Sequence, residues 1–396
     1  MTMLGIGKTF GALYLATLLM QLGATLLISY LALRLDANGA SGFWVGALMA
    51  ANALGMAVGG SAGRALIGRV GHVRAYAASA AVIAAAVLAH ELSAAMPFWL
   101  VLRALAGMAM MAQLMVLESW LNERAGGRER GRVLAVYMIA TYVGMMLGQL
   151  GLAAGEGMHG HALAVVAMAF ALCLVPVVMT RIPQPALQRQ AGAALGPILR
   201  RVPRPLMTVL VSGMINASFF GLGPLYARQQ GMSPGEAGIF LAMPIVAGLL
   251  AQFPLGLLSD RLPHATLIRG IAMSLALVCV ALGMSGGLSA PALLLFAFCI
   301  GALQFCLYPL GAAFANQQVE PGLRVALAGV LLTTFGVGSC IGPLIAGAWM
   351  GQTDASSLYY FFGACAVVLA LAIGKDRSAA APAAVHETPM LDAQGR

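Results

Sequence analysis

Two charged residues stand inside otherwise apolar stretches of this chain, Arg103 and Glu118, and both have side chains able to do chemistry there. A charge in a low-dielectric setting is costly unless paired or solvated, so each is a functional candidate by default. A carboxyl removed from water takes up a proton more readily, which suits Glu118 to carrying one. The competing reading is an anchor: Glu118 lies close to a run of arginines and would then pair with one such as Arg69 or Arg132. Arg103 lies 15 residues earlier, about 22 Å away along a helix. It would bind an anionic group, tune the proton site at Glu118, or hold a backbone carbonyl.

Neutral polar residues recur at helical spacing in other apolar stretches. Gln21 and Thr25 share one face, as do Ser212 and Asn216, and Gln304 and Tyr308; Gln113 adds a fourth position. With Arg103, the residues Gln21, Thr25, Gln113, Asn216, Gln304 and Tyr308 form the expected substrate-binding set, although interhelical hydrogen bonds would also explain any one of them. Arg34 and Arg228 close two helix ends on one side. They would clamp an anion, or pair with acidic neighbours and shut that mouth.

Enzymatic chemistry has little support. The six cysteines all fall within apolar runs, and the six histidines fall in loops, helix ends or the tail. None has metal-ligand spacing, so no metal, cofactor or catalytic residue is expected. A membrane-embedded enzyme is the rival class, and it would need such a cluster.

The elements that position these residues follow from composition. The 396 residues are 61% hydrophobic and only 9% charged, whereas soluble domains carry about 25% charge. The apolar residues come in blocks of roughly the 20 residues that span a bilayer, without the alternation of membrane strands. Reading these blocks gives an all-α polytopic membrane protein with twelve transmembrane helices, the first retained rather than cleaved as a signal. With both termini cytoplasmic, 19 of the 22 lysines and arginines fall on the cytoplasmic side; the opposite orientation would violate the positive-inside rule. The net charge of +9 is therefore a topology signal and gives no reason to expect nucleic acid.

The segment 181–204 is rich in Pro, Gln and Arg and divides the spans six and six. The expected organisation is a six-helix bundle over 1–180, a cytoplasmic linker over 181–204, a second bundle over 205–377 and a disordered tail over 378–396. The halves echo each other. A shift of 194 residues places Arg34 on Arg228, Gly107 on Gly301, Asn122 on Asn316, Arg130 on Arg324, and Gly144 and Gly148 on Gly338 and Gly342. Parallel repeats of this kind place a substrate site at their interface near the bilayer midplane.

With these features the chain resembles the major facilitator superfamily. The loop "GLLSDRLPH" carries Gly256, Asp260 and Arg261 in a G-x-x-x-D-R arrangement, and its counterpart "RALIGRVGHVR" keeps Arg69 but has Gly68 at the aspartate position. Arg103-x-x-x-Gly107 is similar to the family's span-4 motif. The segments "ESWLNERAGGRERGRVLAVYM" and "FGLGPLYAR" resemble the bacterial YcaD-like subgroup. The resemblance implies two pseudo-symmetric six-helix bundles whose spans 1, 4, 7 and 10 line a central cavity. It implies an inner gate of Arg69, Glu123, Arg130, Asp260 and Arg261, and alternating access to a small organic solute. It further implies a monomer in the bacterial inner membrane, with the lipid bilayer, substrate and protons as its partners. The expected activity is proton-coupled export of an anionic or zwitterionic compound, with Glu118 and Arg103 in the coupling. A multidrug-type exporter of lipophilic cations and a proton-symporting importer remain open.

Overall fold

The computed structural model describes residues 3–124, 130–152, 161–180, 199–320 and 323–374. Among the described residues there is no strand. Within them twelve main helices follow one another: α1 Met3–Ala37, α2 Gly42–Val70, α3 His72–Ala89, α4 Met96–Arg124, α5 Arg130–Leu150 and α6 Ala162–Val178; then α7 Pro203–Gln229, α8 Pro234–Ser259, α9 His264–Met284, α10 Ala290–Gln317, α11 Arg324–Met350 and α12 Ser357–Ile373. Ten of them are long and apolar enough to cross a membrane; α6 and α12 are shorter. Helix α6 is interrupted at Cys173. Pro176 explains the break, because it has no N–H and its ring crowds the carbonyl four residues back.

Short connections make sequential helices antiparallel. One end of the molecule, the terminal face, carries the start of α1, the tight α2–α3 and α8–α9 turns and the start of α7. The opposite end is the distal face. At the α2–α3 turn a single residue reverses the chain: Gly71 has φ +81°, a left-handed conformation that glycine adopts without a Cβ clash. At the start of α8, Ser233 and Glu236 form a reciprocal capping box, with the Ser233 N–H donating to Glu236 Oε2 at 2.8 Å.

Small residues set the packing inside each half. Gly55 and Gly63 on α2 let that helix close on Ala104 and Ala112 of α4. Gly144 and Gly148 on α5 meet the backbone of α1 at Leu18 and Leu22, and their repeat partners Gly338 and Gly342 on α11 meet α7 at Leu210 and Met214. The same glycine seam thus recurs in both halves, a contact available only to small residues. Between the halves, α2 packs on α11, α5 on α8, and α1 and α2 on α7.

Apart from Pro176 in the broken α6, interior prolines fall on one side of the repeat. Helices α7, α8, α10 and α11 carry interior prolines: Pro224, Pro244 and Pro254, Pro309, and Pro343. Helices α1 to α5 carry none beyond Pro97 at the second position of α4.

Candidate functional site

The space between the halves is closed at the distal face. There Arg228 of α7 pairs with Asp36 of α1 at 2.8 Å, joining the two halves. Beside it Arg34 donates to both carboxylate oxygens of Glu91, at 2.6 and 2.9 Å, and lies 5.4 Å over the Trp99 ring. The Arg34 guanidinium holds the Glu91 carboxyl below its ordinary range, as an adjacent opposite charge does. Two residues of α2 complete the closure. Gly42 touches the backbone of Gly347, and Gly46 sits against the Pro343 carbonyl so closely that no Cβ fits between them.

The middle of the interface is an aromatic and methionine cluster contributed by both halves. Tyr142 of α5 meets Phe305 of α10 edge to face at 5.9 Å, and Phe220 of α7 meets the same ring at 6.1 Å. Met145, Met146, Ile245 and Leu249 pack around them. One polar link crosses this layer, from Gln252 Nε2 on α8 to the Tyr142 hydroxyl at 2.5 Å.

Toward the terminal face lies Glu118. Its side chain is exposed, yet it hydrogen-bonds the Tyr137 hydroxyl of α5 and lies close to Tyr308 of α10. The bond to α5 and the nearness of Tyr308 put it on the side of α4 that faces the other half. Tyr308 in turn packs edge-on against Phe335 of α11 at 5.2 Å. A carboxyl bonded to a phenol can exchange a proton with solvent and keep that hydrogen-bond partner in either charge state.

The expected residues distribute unevenly around this site. Tyr308 lies near Glu118. Arg103, only 2% exposed, is buried in α4, with Nε and Nη2 unpartnered among the described residues; about half the length of α4 separates it from Glu118. Gln113 is fully buried and donates to the Cys173 sulfur at 3.6 Å, which also accepts from Tyr76, so it belongs to the interior of the N-terminal half. Thr25 is buried and Gln21 half-buried, both with their Cβ atoms against the α5 glycine seam. Asn216 donates back to the Ser212 carbonyl on its own helix at 2.9 Å. Gln304 is fully buried beside Phe305, and both ends of its amide lack a partner among the described residues. Arg69, Asp260 and Arg261 are exposed at the terminal face. The side chains of Glu123 and Arg130 lie outside the described residues.

Tyr137, Tyr142, Gln252 and Phe305 were not expected from the sequence. The available signal was chemical: tyrosines and a glutamine within apolar helices need hydrogen-bond partners, and two tyrosines five residues apart on α5 call for partners from neighbouring helices.

Comparison with known proteins accords with this geometry. The sequence matches the Major Facilitator Superfamily over residues 13–343 and again over 206–389. It is 30% identical over 308 residues to the uncharacterized MFS-type transporter YcaD of Salmonella enteritidis PT4, covering 77% of this chain and 79% of that one. An uncharacterized MFS-type transporter of Enterobacter sp. strain 638 is 30% identical over 330 residues, 83% of this chain and 84% of that one. In fold, the chain is similar to a solved mutant of the nucleoside transporter NupG, with a TM-score of 0.79 at 14% identity, over 91% of this chain and 98% of that one. With its helical membrane architecture, its repeated glycine seams and these relatives, the chain belongs to the major facilitator superfamily of secondary transporters and is an integral membrane protein.

Proposed function

We propose that the protein exchanges protons for a small organic solute across the bacterial inner membrane, as an exporter working by alternating access. The terminal face is the cytoplasmic one, because the basic residues gather there, and the exposed Glu118 then faces the cytoplasm. The N-terminal unit 1–180 and the C-terminal unit 205–377 act as the moving bodies, linked by 181–204, within a monomer.

The single observation that carries this reading is the position of Glu118, bonded to Tyr137 of one half and near Tyr308 of the other. A carboxylate there binds either a proton or a cationic solute, and the competition between them is the coupling. The geometry favours a cationic or neutral amphiphile with an aromatic or lipophilic body. Arg34 and Arg228 are engaged in ion pairs at the distal face, whereas the Phe220, Phe305, Tyr142 and methionine layer offers an apolar, adaptable surface.

One observation favours the second reading, an anionic or zwitterionic solute: the buried Arg103 with its unpartnered nitrogens. Thermal unfolding of the purified protein against lipophilic cations, zwitterions and organic anions, at two pH values, separates the two. Stabilisation by cations that weakens at low pH and disappears in Glu118→Gln supports the first. Stabilisation by anions that disappears in Arg103→Ala replaces it with the second.

A further inference from the structure

A separate cavity opens at the terminal face of the C-terminal half, between the starts of α7 and α9 and the end of α10. Its volume is about 490 Å³, and Arg201, Arg204, His264, Ala265, Phe314 and Gln317 line it. It lies away from the site described above: Gln317 is nine residues beyond Tyr308 on α10, which turns it roughly half a revolution round the helix.

The cavity is built from donors. Two helix N-termini converge on it, and neither α7 nor α9 has a side-chain cap or an acidic residue in its first turn. The first-turn N–H groups of a helix have no intrahelical acceptor. On α9 these are the N–H groups of His264, Ala265 and Thr266. On α7, where Pro203 and Pro205 have none, the group is that of Arg204. The positive ends of both helix dipoles add to the two guanidinium groups.

His264 supplies the independent observation. It is only 9% exposed, and its ring stacks on Phe314 at 6.3 Å with the planes 8° apart. Among the described residues its ring nitrogens have no hydrogen-bond partner, and the residue lines the cavity. A buried, oriented imidazole with free nitrogens, set among arginines and uncapped helix ends, is a ready ligand for an oxyanion. Glu320 is 3.8 Å from Arg201, with both side chains largely exposed, and such a surface pair is weak enough for a stronger anion to displace.

We infer that this cavity is a phosphate-class anion site, distinct from the transport site, which takes either the headgroup of an anionic phospholipid or a free phosphate. Arg201 and Arg204 neutralise the charge, the α9 N–H groups and His264 bind its oxygens, and Gln317 donates from the rim. Phe314 provides an apolar wall suited to the glycerol end of a lipid.

The test uses the full-length protein with two probes. Inorganic phosphate is titrated against chloride at matched ionic strength while thermal unfolding is followed. Separately, protein from phosphatidylglycerol or phosphatidylcholine nanodiscs is examined for retained lipid by native mass spectrometry. The inference expects saturable stabilisation by phosphate, retention of phosphatidylglycerol over phosphatidylcholine, or both. It also expects each effect to weaken about tenfold or more in Arg201→Gln/Arg204→Gln, since charge-assisted bonds are the strong ones. Retention of phosphatidylglycerol identifies a lipid headgroup as the ligand; phosphate stabilisation without lipid retention identifies a soluble phosphate. If the double variant does not fold, Gln317→Glu, which places a carboxylate at the exposed rim, must weaken both effects. Absence of both effects, or wild-type binding by a folded variant, overturns the inference.

Discussion

The closest approach between the halves gives the sharpest prediction. An alanine Cβ at Gly46 would overlap the Pro343 carbonyl oxygen and stand 2.7 Å from its carbon. Both are backbone atoms, so no rotamer change relieves the clash, and α2 must move away from α11 at the distal face. Overpacking of this kind costs about 1–3 kcal/mol. Only the state with the distal face closed bears that penalty, so the population with this face open should rise about 5- to 150-fold. Gly60 on the same helix has open space around its Cβ position, which makes Gly60→Ala the matched control. Met49 reports the state: it is buried against Gly221 at the interface between the halves. In a Met49→Cys background, an impermeant maleimide added from the distal side should label Gly46→Ala faster by that factor and Gly60→Ala at the parental rate. Equal labelling of the two variants would refute the argument that the glycine contact holds the distal face shut.

Other perturbations have equally definite outcomes. Glu118→Gln should lose both solute counterflow and accumulation driven by a pH gradient in proteoliposomes, because the carboxylate takes proton and solute in turn; Tyr137→Phe should shift the pH dependence of transport without abolishing it. Intact pH-driven accumulation in Glu118→Gln would return that residue to a structural role. Arg228→Asp should raise distal-side labelling modestly, about two- to fivefold, because half-exposed ion pairs contribute 1 kcal/mol or less; the swap Arg228→Asp/Asp36→Arg should restore the parental rate, and failure to do so would argue against a direct pair. The Arg34–Glu91 pair predicts a pH effect. Arg34 depresses the Glu91 carboxyl, so the pair stabilises the fold above the ordinary carboxylate value of 4.5, and the contribution is lost as pH falls through the lower folded value. The thermal stability gap between wild type and Glu91→Gln should therefore be present at pH 7, below 1 kcal/mol given the exposure of Glu91, and close in strong acid; a gap that persists there would contradict this origin.

Much of the architecture was legible because lipid imposes few options. Long apolar blocks must be helices, and glycines at four-residue spacing mark close helix contacts; the repeat-related pairs Gly144/Gly148 and Gly338/Gly342 do form the same seam in each half. The break in α6 was less visible, because Pro176 sits in a run whose hydropathy continues through it. The site was only partly legible. Glu118 stood out by charge in an apolar stretch. Gln113 and Asn216 looked equally suited to a cavity, yet one is turned toward Cys173 and the other bonds its own helix, and side-chain facing depends on helix rotation that spacing alone does not fix. The Tyr142–Gln252 link joins residues 110 positions apart, a pairing set by how the two halves dock and therefore unreadable from either segment alone.

The distribution of prolines has a mechanical consequence. Each interior proline removes one rung of a helix's hydrogen-bond ladder and marks a point where the rod bends. Five such points fall in α7, α8, α10 and α11, a sixth at Pro176 breaks the short α6, and none falls in the interiors of α1 to α5. The helices that meet between the halves are therefore unlike in kind: α1, α2 and α5 run unbroken, whereas α7, α8 and α11 each carry a bend point. Any movement of one set against the other would concentrate bending in the helices that supply Phe220 and Phe305, while α4, which holds Glu118, would keep its shape.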